Sequence, residues 1–164
     1  MRFYNQPHRF YCGVDLHART MYLCILDQGG AIVLHKEVPA EPAAFLEAIA
    51  PFRDGLVVAC ECLFCWYWLA DLCQAENIAF VLGHALYMKA IHGGKSADDK
   101  IDSAKIAHLL RGGNLPIAYV YPKGLRETRD LGEAEDDQDT VDLLTGIIEE
   151  FEKHGWFLRA SLEG

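Results

Sequence analysis

Long apolar runs are missing from this chain; none approaches the ~18 residues that a membrane-spanning helix needs. The first nine residues, Met1 to Arg9, contain no apolar signal core, so the expected location is cytoplasmic, without membrane attachment. A second Cys/His pair at finger or ribbon spacing is also missing. Cys60, Cys62 and Cys65 therefore read as small packing residues rather than half of a zinc site. Basic residues become scarce late in the chain. Residues 1–126 hold 12 Lys and Arg against 12 Asp and Glu, whereas residues 127–164 hold 3 against 12. The whole net charge of −9 thus sits in the last 38 residues. The first part is not hostile to a polyanion, and the tail is.

What is present suits a globular body. The chain has 164 residues, 51% hydrophobic, enough for one domain with a sizeable core. Segments 10–15, 20–27 and 31–38 read as consecutive strands, with Asp27-Gln28-Gly29-Gly30 as a hairpin turn. Glu41-Pro42 opens a helix expected to run through Phe52. A buried strand follows at 56–61, a helix at 63–76, a short strand at 78–82 and a short helix from His84 to Ile91. A helix over about 98–111 stops at Gly112-Gly113, and Ile117 to Val120 reads as a short strand. The order predicts an α/β fold. It is a ribonuclease-H-like mixed five-stranded sheet, three antiparallel strands then a βαβ crossover, flanked by helices. Beyond it, Glu133 to Asp139 is a solvated acidic run, and Thr140 to Lys153 has the spacing of an amphipathic helix.

Four acidic residues stand where charge is costly. Asp15 ends the apolar run Tyr11-Cys12-Gly13-Val14, and Glu61 ends Leu56-Val57-Val58-Ala59-Cys60. An unpaired carboxylate among apolar neighbours costs several kcal/mol or is neutralised. In the expected sheet these two strands are neighbours, so both carboxylates point into one cleft at the strand ends, where α/β sheets commonly build sites. Asp99 and Asp102 fall about 60° apart on a helix, on the stripe of Ile106, Leu109 and Leu110. Lys100, Ala104, His108 and Arg111 take the other side. Carboxylates converging from separate segments suit hard divalent cations, and two such ions can hold the attacking and leaving oxygens of a phosphoryl transfer. Simpler roles stand beside this one. Asp98 or Asp99 can cap the helix, Glu61 can be a first-turn acid, and His17 can be an exposed loop histidine. Lys95, Lys100 and Lys105 can contact phosphates or simply be solvated.

Gly13-Val14-Asp15-Leu16-His17 resembles the opening of insertion-sequence transposases with a DEDD, RuvC-like catalytic domain. Ala59-Cys60-Glu61 resembles that family's second acidic motif. The stretch from Lys95 to Ala107 is similar to its Lys-x-Asp-x-x-Asp-Ala segment, with one extra residue before Asp99. The resemblance covers about residues 10–131. It implies Asp15, Glu61, Asp99 and Asp102 as the catalytic, Mg2+-binding set, with Mn2+ able to substitute. It implies DNA cleavage and rejoining in transposition, a structured guide RNA as partner, and action as a homo-oligomer.

The family continues past this region with basic helices and a second domain carrying a nucleophilic serine. This sequence instead turns acidic at Gly132. Residues 1–131 are the expected catalytic domain, and 132–164 an acidic segment and helix atypical of the family. Complete recombination by this chain alone is not expected. A regulatory, non-catalytic nucleic-acid-binding protein derived from a transposase is the alternative. An actin-like or sugar-kinase ATPase is disfavoured, because Leu16-His17-Ala18-Arg19 offers no glycine for a phosphate loop.

Overall fold

A computed structural model describes residues 2–61, 65–92, 99–120 and Arg126, with backbone alone at 89, 90 and 92. The acidic run, the helix expected over 140–153, Cys62, Lys95 and Asp98 lie outside the described residues. The chain divides into two compact units, Met1–Val120 and Tyr121–Gly164, and the first carries the elements below. Among the described residues, no helix is long and apolar enough to cross a membrane.

The strands are β1 (Phe3–Tyr4), β2 (Phe10–Leu16), β3 (Thr20–Asp27), β4 (Ile32–Pro39), β5 (Leu56–Glu61), β6 (Ala79–Gly83) and β7 (Leu115–Pro116). The helices are α1 (Pro42–Ile49), α2 (Tyr67–Ala75), α3 (Ala85–His92) and α4 (Asp99–Arg111). The main sheet has five strands in the order β4-β3-β2-β5-β6. β2, β3 and β4 pair antiparallel, and β2-β5 and β5-β6 pair parallel. This is the ribonuclease-H-like arrangement expected from the element order. The β3-β4 turn forms where Gly30, at φ +88°, donates its N–H to the Asp27 carbonyl at 3.0 Å. The Asp27 carboxylate accepts the Ala31 N–H at 2.9 Å, an Asx-type closure.

Alternation along the central strands sends side chains to opposite layers. Cys12, Val14, Leu23, Ile25 and Val58 pack with Phe45 and Ile49 of α1, Leu69 and Cys73 of α2, and Trp66. Tyr11, Cys24, Leu26, Val57 and Ala59 pack with Ile106, Ala107, Leu109 and Leu110 of α4. Each large apolar side chain buried here contributes about 1.5–3 kcal/mol. The thiols behave as core. Burial pushes Cys12 well above its ordinary range, Cys24 to about 11 and Cys73 to about 12, so they stay protonated and inert near neutrality. Cys65 donates its thiol to the Leu16 carbonyl at 3.4 Å. None of the described cysteines belongs to a metal-ligand group.

Three element boundaries differ from the sequence reading. α1 ends at Ile49 and a 3-10 turn covers Ala50–Phe52, because Pro51 has no N–H to continue the helix. α2 starts at Tyr67 rather than 63; Cys65 and Trp66 precede it outside the helix, with the Cys65 thiol on the Leu16 carbonyl at the end of β2. The strand expected over Ile117–Val120 falls earlier, at Leu115–Pro116, where β1 supplies an antiparallel partner. Past it the chain makes single bonds, Ile117 N–H to the Arg2 carbonyl and Ala118 N–H to the Leu82 carbonyl.

Candidate metal centre

The strand register places the first two carboxylates. Val14 lies opposite Cys60 in the parallel β2-β5 pair, so Asp15 and Glu61 each stand one step further along neighbouring strands. Alternation assigns both to the layer of Tyr11, Val57 and Ala59, which α4 covers. Asp15 is buried, only 1% exposed, while Glu61 is half-buried.

Gly13 brings the helix down to them. It faces the same layer as Asp15, and a Cβ there would sit 2.3 Å from the Ser103 carbonyl oxygen and 2.4 Å from the Ala107 nitrogen. Only a residue without a side chain lets the α4 backbone rest directly on β2. With α4 held at that height, Asp99 in its first turn reaches the end of β2.

His17 joins the two. Its Nε2 lies 3.3 Å from Asp15 Oδ2 and 3.4 Å from Asp99 Oδ1. The β2-β3 turn fixes it there, with the His17 N–H donated to the Thr20 carbonyl at 2.9 Å. One donor atom from each of Asp15, His17 and Asp99 lies within 4.8 Å of the others. Two carboxylate oxygens and an imidazole nitrogen, one carboxylate almost fully desolvated, form a set that attracts a divalent cation.

The other expected residues are placed less closely. Asp102 is buried on the core side of α4, as the helical spacing indicated, and accepts a hydrogen bond from Lys105 Nζ at 2.9 Å. It is not in the group formed by Asp15, His17 and Asp99. Neither is Glu61, although its strand position brings it to the same sheet edge. Lys100 is exposed on the outer face of α4, and Lys105 is engaged with Asp102. His17, read as an exposed loop histidine, does lie in the β2-β3 turn with its side chain 39% exposed, and there it also faces two carboxylates. The sequence signal was its spacing, two residues after the acid that ends an apolar strand. Gly13, seen only as part of a motif, proves to be the contact that seats the helix.

The chain is thus an α/β domain with a ribonuclease-H-like sheet, with Asp15 and Glu61 at the ends of the neighbouring parallel strands β2 and β5. The model of the IS110-type DEDD transposase family matches residues 12–152, so the chain belongs to that transposase family. Among solved structures, the chain is similar to RuvC of Thermus thermophilus, at 16% identity and TM-score 0.45. That match covers 66% of this chain and 99% of RuvC. It is also similar to the large terminase nuclease of thermophilic phage G20c with bound zinc, at 17% identity and TM-score 0.36. That match covers 70% of this chain and 66% of the nuclease. No curated protein matches the chain.

Proposed function

We propose that residues 1–131 form a catalytic domain that binds divalent cations and carries out phosphoryl transfer on DNA during transposition. The observation that carries this reading is the meeting of buried Asp15 with Asp99 from a separate element. Asp15, Glu61, Asp99 and Asp102 would hold Mg2+, or Mn2+ in its place. His17 would either add an imidazole nitrogen or turn aside as the ion enters. Bound there, the cations would lower the pKa of the attacking hydroxyl or water and stabilise the leaving oxygen.

The protein's own residues do the positioning. Asp15 supplies a charge fixed by the strand and shielded from water, so its interaction with a cation is little screened. Asp102 is already paired with Lys105; a cation on Asp102 would release that ammonium for a nearby phosphate. Lys95 and Lys100 would add to the same phosphate contacts. The family supports DNA as substrate, and the resemblance supports a structured guide RNA and a homo-oligomer as the working assembly.

The test is cleavage of a labelled branched or duplex oligonucleotide by the purified chain. Strand scission should appear with Mg2+ or Mn2+ and disappear with EDTA. Scission that persists unchanged in EDTA, or DNA left intact at every metal concentration, contradicts the reading.

A further inference from the structure

We propose that His35, on the edge strand β4, is a positioning residue that sets the first turn of α4 and thereby the place of Asp99. This rests on the metal-site reading above. Cys24 stands opposite Gly13 in the β2-β3 pair and opposite His35 in the β3-β4 pair. The three residues therefore form one row across the sheet, on the face that α4 covers. Gly13 at one end of the row meets the backbone of α4 at Ser103 and Ala107. His35 at the other end lies 2.9 Å, through Nε2, from the carbonyl oxygen of Lys100.

The chemistry of that contact is determined. A carbonyl oxygen can only accept, so His35 Nε2 carries the proton and donates. Ser103 Oγ donates to the same oxygen at 3.0 Å and lies 3.4 Å from His35 Nε2. The Tyr22 ring meets the imidazole edge to face, with centroids 5.2 Å apart and planes at 83°, which fixes the ring's plane. Tyr22 is in turn the cross-strand partner of Asp15. A first-turn carbonyl is thus bound to the sheet 65 residues away in sequence, and the next residue towards the N-terminus is Asp99. Gly13 sets how close the helix lies; His35 sets where its first turn sits along the row. Within α4 the Ser103 hydroxyl binds the same carbonyl, and Asp99 itself meets His17 at 3.4 Å. Partners that orient metal ligands typically change metal affinity by 10–100-fold when removed.

Three variants separate the donor from the packing. His35→Ala removes both. His35→Phe keeps a ring against Tyr22 and removes the N–H. His35→Gln supplies an amide N–H at a similar reach. Mn2+ titration of the full chain by electron paramagnetic resonance should show roughly tenfold weaker binding for His35→Ala and His35→Phe. His35→Gln should return to within about threefold of the parent, since its amide donates to the same carbonyl. Hydrogen exchange of the α4 amides from Ile101 to Lys105 should rise in the first two variants and recover in His35→Gln. Unchanged Mn2+ affinity in both donor-less variants overturns the proposal, as does a His35→Gln variant no better than His35→Ala. If the parent binds no Mn2+, the metal reading fails by itself, and exchange alone decides His35. Faster exchange with glutamine rescue then supports the positioning role, and unchanged exchange overturns it.

Discussion

Asp15→Asn is expected to reduce Mg2+-dependent DNA cleavage by about a thousandfold or more while leaving the fold intact. A thousandfold loss is about 4 kcal/mol of transition-state stabilisation, a reasonable share for a charged ligand at a metal centre. The amide has the shape of the carboxylate, so packing around this 1%-exposed side chain is retained. It has no charge, so it neither attracts a cation nor pairs with His17 as an anion. The change also removes a desolvated charge, and the melting temperature should stay within a few degrees of the parent or rise. Asp99→Asn should lose activity to a similar degree, because Asp99 lies on the other side of His17. Single-turnover cleavage beside a thermal melt checks both halves of the expectation. Cleavage within tenfold of the parent would show that Asp15 is a structural acid and that the chemistry lies elsewhere.

Gly13→Ala should damage the protein by another route, with a stability loss of about 3 kcal/mol. The new methyl would lie 2.3 and 2.4 Å from backbone atoms of α4, and a helix backbone cannot swing aside like the end of a flexible side chain. α4 must lift, which also disturbs its packing against Tyr11, Cys24 and Val57. Urea unfolding should show a lower midpoint with little change in slope. Metal binding should weaken together with stability, since Asp99 moves with the helix. Gly29→Ala is the matched control. Its added Cβ meets only an Asp27 side-chain oxygen at 3.3 Å, so its effect should be a fraction of that size. An unchanged midpoint for Gly13→Ala would mean that α4 does not rest on β2 as described.

The two variants differ because the sequence bears differently on the acidic side chains and on the contacts that place them. Asp15 and Glu61 were legible since each interrupts an apolar strand, and burial of charge needs a reason. The strand order was legible from the hairpin signal at Gly29-Gly30 and from the nearly unbroken apolar run at 56–61. Asp102 was legible from helical spacing, which puts it on the stripe with Ile106 and Leu109. The meeting of His17 with two carboxylates was not, because it depends on how the β2-β3 turn closes through Thr20. The His35 bond to Lys100 spans 65 residues, and no local pattern carries such a contact. The β1-β7 pair is hidden for a similar reason. Two-residue strands have no periodicity to read, and each depends on a partner at the far end of the unit.

The central claim is that Asp15 and Asp99 hold a common divalent cation. A crystal structure of the chain with saturating Mn2+, using the metal's anomalous signal, tests it most directly. The expected result is a metal peak about 2.1 Å from an oxygen of each carboxylate, with Glu61 or Asp102 or their bound waters completing the shell. Asp15 and Asp99 still facing His17, with no metal peak between them, would contradict the account.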